Sequence, residues 1–417
     1  MPGEQHAAQV LNSVLREDRA RILARVVRFV GDLQTAEDAL QDACVEAARS
    51  WPAVGVPLNP QGWLVTVARR RAVDRFRSLS AAARREYEQH ELSAAWHAEA
   101  IDEPVPDDRL RLIFTCCHPA LSPEVQVALT LQVVAGMTIA EIAAAFIVTE
   151  AAMSQRITRG KRKIKETKIA YRIPDADELP RRVRGVLATI YLVFNAGYLA
   201  PKGEIPVRVD LLEEAIRLGD LMVEVIGDDP EVLGLAALMQ LTDARRDTRV
   251  DVVGLPIDLT SQDRTRWNAD QIRQGLSLLA RARASNAPGP YQIQAAIAAV
   301  HARSPTAAET DWAMIATLYD GLAALVPSPA VAMNRAVAIG LSRGPDHGLA
   351  LLGEPGLAGA LGRHHRYHAS IGHLHELNGD DDLARESWQR ALELTMSEHE
   401  RSALRERICR LDGRDEA

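Results

Sequence analysis

A short segment near the first third of the chain constrains the fold most. Thr138-x-x-Glu141 has the form of a capping box, in which hydroxyl and carboxylate satisfy backbone donors at a helix start. It opens a segment whose Ile139, Ile142, Ala143 and Phe146 recur at helical spacing. Ile147 and Val148 then make a short turn, and Thr149 is placed to cap a second helix. In that helix Met153, Ile157 and Ile164 face inward, while Ser154, Gln155, Thr158, Arg159 and Arg162 share the outer face. Two helices joined this tightly form a helix-turn-helix, whose second helix fits a DNA major groove. There Gln and Arg reach base edges, and the trailing Lys161, Lys163 and Lys165 meet phosphates. The same spacing also fits two packed core helices.

Charge distribution bears on that choice. The net charge of −7 conceals a split: residues 1–170 sum to about +1 and the remainder to about −8. Arg69–Arg85 holds seven arginines against Asp74 alone, and Arg156–Lys168 holds seven basic residues against Glu166 alone. Between them Glu86–Asp108 carries eight acids. Two basic helices joined by an acidic segment can present two footprints to a polyanion, although Arg-rich helices also serve as solvated faces.

Aromatic residues make up only 4% of the chain while Ala, Leu, Arg and Glu abound, so the palette favours helix packed on helix. Ahead of the helix-turn-helix, Leu11, Val14 and Leu15, then Ile22, Val26 and Phe29, form a helical stripe ending at Gly31. A second helix is expected from Thr35, with Ala36, Leu40, Ala43, Cys44 and Ala47 inward and Asp38, Gln41, Asp42 and Glu46 outward. Trp51–Gly62, broken by Pro52, Gly55, Pro57 and Pro60, reads as a loop. Pro60 then opens a helix with Leu64, Ala68, Ala72 and Phe76 along one ridge.

Together Thr35–Trp51 (TAEDALQDACVEAARSW), Trp63–Arg77 (WLVTVARRRAVDRFR) and Gly136–Lys165 resemble regions 2 and 4 of bacterial extracytoplasmic-function (ECF) sigma factors, in order and spacing. The resemblance implies that Asp38, Gln41 and Asp42 dock on the β′ clamp helices of core RNA polymerase, with the β flap as a further contact. It implies that the Trp51–Gly62 loop and Trp63, Arg69, Arg70, Arg71, Asp74 and Arg77 handle the −10 promoter element. Ser154, Gln155, Arg156, Arg159 and Lys161 would serve the −35 element. These roles make physical sense: an opened −10 element offers unstacked bases to a loop pocket, whereas a duplex −35 element suits a groove-reading helix.

Further helices are expected at Val183–Tyr198, Asp210–Ile226, Glu231–Ala244, Tyr291–Arg303, Asp311–Leu325, Ala330–Leu341, Tyr367–Leu377 and Asp381–Thr395. In the last pair Gly372, Ala384, Trp388 and Ala391 are spaced like tetratricopeptide signature positions, which predicts a degenerate helical array. Asp108–Leu121 (DRLRLIFTCCHPAL), Phe194–Tyr198 (FNAGY) and Ser328–Val337 (SPAVAMNRAV) resemble the sigma-factor subgroup with a long C-terminal extension. The expected architecture is all-α: region 2 over 1–80, an acidic linker over 81–106 and region 4 over 107–170. A helical extension over 171–285 and a tetratricopeptide-like array over 286–417 complete it, the array offering a surface to a protein or peptide partner.

Other classes find less support. Cys116-Cys117-His118 is the most suggestive cluster for metal or thiol chemistry, but adjacent side chains on a helix diverge by about 100° and cannot easily chelate one ion. His364, His365, His368, His373 and His375 lack a completing carboxylate or cysteine pattern, and no phosphate loop or nucleophile elbow appears. The expectation is therefore a protein without enzymatic activity, cofactor or bound metal. Four scattered cysteines and a Met1–Val10 segment unlike a secretory signal point to the cytoplasm. Ser50–Ala68, Gly185–Pro201 and Ala284–Ala302 lack Asp, Glu, Lys and Arg but are too broken or short to span a membrane. The competing reading is a free-standing helix-turn-helix regulator with a helical sensor domain, which would have no use for the acidic face of Thr35–Ala48.

Overall fold

The computed structural model describes residues 2–77, 106–146, 148–198, 208–251, 257–395 and 398–415. Among these residues the chain is helical, without β-strands, and it divides into two compact units, residues 1–192 and 193–417.

The first unit begins with three mutually packed helices, α1 (Pro2–Val30), α2 (Leu33–Val54) and α3 (Pro60–Arg77). Leu23, Val26 and Val27 of α1 meet Ala36, Leu40, Ala43 and Ala47 of α2 and Leu64, Ala68 and Ala72 of α3, all buried. The alanines supply burial with little volume, so the axes approach closely. Asp32 caps α2, its carboxylate accepting from the Thr35 N–H at 2.9 Å, so the helix starts before the expected Thr35. It also runs past the expected loop start at Trp51, through Pro52 to Val54. Trp51 is buried there and stands edge-on to Trp63, ring centroids 5.4 Å apart, so aromatic packing holds the last turn despite the proline. The loop is thus confined to residues 55–59.

Next come α4 (Pro106–Cys116), α5 (Pro123–Leu129) with a π-helical turn over Thr130–Val134, α6 (Ile139–Ala145) and α7 (Glu150–Glu166). Leu112, Ile113, Phe114, Leu129, Leu131 and Ile142 form their core, and α4 packs on α1. The helix α8 (Leu179–Tyr198) follows, starting one turn ahead of the expected Val183. Its Arg182 donates to the Phe114 carbonyl and its Thr189 hydroxyl meets Gln126.

In the second unit α9 (Val209–Ile226), α10 (Pro230–Asp243), α11 (Ala269–Arg283) and α12 (Pro290–Arg303) pack around α10, which is buried along almost its whole length. The helices α13 (Trp312–Leu325) and α14 (Pro329–Arg343) follow, then the short α15 (Pro345–Leu352) and α16 (Pro355–Leu361). Last come α17 (His365–Asn378), α18 (Asp381–Leu394) and α19 (Glu398–Asp415). The turn between α17 and α18 needs Gly379, whose φ of 81° lies in the left-handed region that a side chain disfavours. Ala384 and Trp388 are buried, and the Trp388 indole lies against Gly372. No helix among the described residues is long and apolar enough to cross a membrane.

Candidate nucleic-acid interface

The helix-turn-helix forms as its caps demand. The Thr138 hydroxyl accepts from the Glu141 N–H at 3.2 Å, and the Glu141 carboxylate accepts from the Thr138 N–H at 2.7 Å. The Thr149 hydroxyl accepts from the Ala152 N–H at 3.2 Å and starts α7. Met153, Ile157 and Ile164 are buried, as is Gly160, where an added Cβ would come within 2.6 Å of Val125. That close approach seats α7 on α5 and fixes which face remains outside.

On that face Gln155, Thr158, Arg159 and Arg162 are exposed, while Ser154 and Arg156 are half-buried. Arg156 turns toward a cleft of about 260 Å³ between α5, α6 and α7, lined also by Val127, Phe146 and Leu192. Lys163 and Lys165 are exposed near the α7 C-terminus, where cations suit the helix dipole. Lys161 departs from the expected phosphate-facing row. Its ammonium pairs with Glu37 of α2 at 2.6 Å, and its side chain is only 11% exposed.

The α2/α3 face is polar but internally paired. Asp38 accepts from Arg75 at 2.6 Å and from Gln34 at 2.9 Å, Asp42 stands 3.7 Å from Arg75, and Arg71 donates to Glu46 at 2.6 Å. All these groups keep substantial exposure, and Gln41 is exposed beside them. Arg70, Arg71 and Asp74 lie outward on α3 and Trp63 is half-buried against Trp51. Arg69 does not join them. Its guanidinium lies 5.2 Å over the Phe29 ring, and burial, with Arg28 and Arg25 nearby, pushes its pKa down. The side chains of Phe76 and Arg77, and Ile147 in the turn, lie outside the described residues, as does the acidic segment up to residue 105.

Sequence reasoning missed the polar groups that join these two bundles. Besides Lys161, Arg19 approaches the buried Glu37 at 3.6 Å. Asp108, expected at the edge of an acidic linker, instead sits buried on α4 and pairs with Arg28 of α1 at 3.3 Å. The Tyr171 hydroxyl donates toward the carbonyls of Ala24 in α1 (3.1 Å) and Asp108 in α4 (3.0 Å), and burial pushes its pKa well up. No local pattern marks such residues, because each partner lies in a different helix.

Cys116 and Cys117 are buried, and burial raises both thiol pKa values, so the thiols stay neutral. Cys117 contacts the Thr130 hydroxyl at 3.4 Å, in keeping with packing. Among the histidines, His365 faces Glu400 at 3.1 Å, His375 faces Asp380 at 3.3 Å, and His368 meets the Gly362 carbonyl.

Three family models match the chain: Sigma-70 region 2 over residues 14–82, Sigma-70 region 4 over 111–164, and a family of unknown function over 182–283. An uncharacterized protein of Rhizobium meliloti is 38% identical over 405 residues, covering 94% of both chains. The ECF RNA polymerase sigma factor SigK of a Mycobacterium species is 30% identical over 35% of this chain and 77% of its own. The probable ECF RNA polymerase sigma factor SigI of Mycobacterium tuberculosis is 30% identical over 40% of this chain and 58% of its own.

Proposed function

The chain belongs to the ECF RNA polymerase sigma factors, and from that premise we propose that it binds core RNA polymerase and directs initiation at promoters with −10 and −35 elements. The observation carrying this reading is the capped helix-turn-helix with Gln155, Thr158, Arg159 and Arg162 exposed along one face of α7. Such a face suits base edges in a major groove, with Lys163 and Lys165 near phosphates. Arg70, Arg71 and Asp74 of α3, together with the loop at residues 55–59 that precedes this helix, are suited to the −10 element. Asp38, Gln41 and Asp42 are suited to the polymerase β′ clamp, and their partner Arg75 would have to give way to it. The cleft beside Arg156 offers the β flap an apolar seat.

Lys161 can serve a −35 phosphate only after leaving Glu37, so the role assigned to it requires the contact between α2 and α7 to open. The C-terminal extension, which includes the tetratricopeptide-like pair α17–α18, regulates activity, and tethering makes weak contacts effective. A non-enzymatic, cytoplasmic role follows from the same reading.

The test is co-purification with core polymerase followed by run-off transcription. Promoter-specific transcripts are expected only with both present, and Asp38→Arg with Asp42→Arg should abolish polymerase binding while the helical fold persists. Tight binding to duplex promoter DNA without polymerase would favour the free-standing regulator instead. A chain ending at Leu192, which keeps the Tyr171, Arg182 and Thr189 contacts, should differ from the full chain in promoter output if the extension regulates.

A further inference from the structure

The end of α8 and the arginines that follow α10 form a cluster to which the sigma-factor reading gives no role. The Tyr198 ring stacks on Phe194, centroids 5.8 Å apart. Over the Tyr198 ring lie two guanidinium groups, that of Arg249 at 3.4 Å from the centroid and that of Arg245 at 5.5 Å. Their neighbours along the chain are engaged. Arg246 holds Asp243 with two bonds of 2.8 and 2.6 Å and also reaches Glu213, while Arg264 donates to the His301 and Ser304 carbonyls and the Thr310 hydroxyl.

Arg245 and Arg249 have no such partners. Among the described residues no carboxylate pairs with either, and the Nη1 of Arg249 is buried without an acceptor. Asp243 is already held by Arg246 and by Gln271 at 2.8 Å. Burial works most against the charge on Arg249, and Arg245 and Arg366 add to that, while Tyr198 and the more distant Asp243 offset only part of it, leaving its pKa lowered. A guanidinium does not shed its proton in a protein, so the cluster stays cationic. Taking such a charge from water is costly unless an anion meets it.

We propose that Tyr198, Arg245 and Arg249 form an anion site that takes a small molecule through a phosphate group. The aromatic face holds the guanidinium planes in place, and their paired N–H donors match phosphate oxygens. A phosphate, rather than a carboxylate, balances two positive charges held over one ring. The site lies within the second unit and its existence does not depend on promoter recognition.

The experiment is calorimetric titration and thermal unfolding of the full chain at constant ionic strength in chloride, with inorganic phosphate and glycerol 3-phosphate as separate probes. Saturable binding with a rise in unfolding temperature is expected for at least one probe. Tighter binding of inorganic phosphate assigns the site to the free ion, and tighter binding of glycerol 3-phosphate assigns it to a phosphorylated metabolite. Arg245→Gln and Arg249→Gln should each weaken binding at least about tenfold. Without phosphate both variants should unfold at or above the parent temperature, because an unpaired partly buried charge has been removed. No saturable binding up to about 10 mM of either probe, or unchanged affinity in both variants, would overturn the proposal.

Discussion

Replacing Glu37 with glutamine tests whether a buried ion pair holds the α1–α3 bundle to the helix-turn-helix. Glu37 is 9% exposed, and its carboxylate faces Lys161 at 2.6 Å and Arg19 at 3.6 Å. With an effective dielectric of about 20, the Lys161 contact alone is worth about 6 kcal/mol before desolvation is counted. Desolvation offsets much of that, but removing one partner strands the other charges, so the net loss is about 3–5 kcal/mol. Full-chain unfolding need not be two-state when two units are present, so native-state hydrogen exchange is the better assay. Amides of α2 and α7 that exchange through separation of the bundles should speed up about 100-fold or more in Glu37→Gln. Adding Lys161→Met to Glu37→Gln should cost less than the two single changes summed, by about 2 kcal/mol. Strict additivity, or unchanged exchange in both helices, would refute the reasoning.

Arg159→Ala should remove a contact worth about 1–3 kcal/mol if it is bidentate, lowering run-off transcription while polymerase co-purification persists. Equal loss of both would mark a folding defect. Thr138→Ala breaks the capping box and should destabilise α6 by about 0.5–2 kcal/mol, read as faster exchange at its N-terminal amides. His301 is held neutral by burial, with Arg245 and Arg264 adding to it, its pKa pushed down to about 4. Between that value and the unfolded value of about 6.5 only the unfolded chain takes up the proton, so His301 lowers stability as pH falls through this window. The effect is on the order of 2–3 kcal/mol, and His301→Gln should flatten that part of the pH dependence of thermal unfolding.

What was legible in the sequence follows from the range of the interaction that decides it. The capping box at Thr138 and Glu141, the Thr149 cap and the inward placing of Met153, Ile157 and Ile164 are set within one or two turns, and all are found in the structure. The start of α2 differs from the expected Thr35 because Asp32 and Thr35 are both good caps, and local pattern does not say which carboxylate or hydroxyl the backbone will use. The end of α2, at Val54, lies beyond the expected Trp51 for a tertiary reason. Pro52 reads as a breaker, yet the contact between Trp51 and Trp63 outweighs it near a helix terminus, where a missing intrahelical bond costs least.

The polar residues show the limit most clearly. Helical period places Lys161 near the edge of the outer face of α7, and nothing within α7 distinguishes it from Arg159 or Arg162. Their fates differ because Glu37, far away in sequence, sits on the inner side of α2, where periodicity alone allows a charge only if a partner arrives. The acid among the buried residues of α2 was therefore the available signal: a carboxylate on an Ala-rich stripe calls for a cation from another element. Read in reverse, the same rule separates Arg246, answered by Asp243 and Glu213, from Arg245 and Arg249, which no carboxylate among the described residues answers. In the first unit the unsatisfied demand of Glu37 is met by α7 and ties two bundles together. In the second it is left to an anion from outside the chain, so one electrostatic principle makes an internal lock in one place and a binding site in the other.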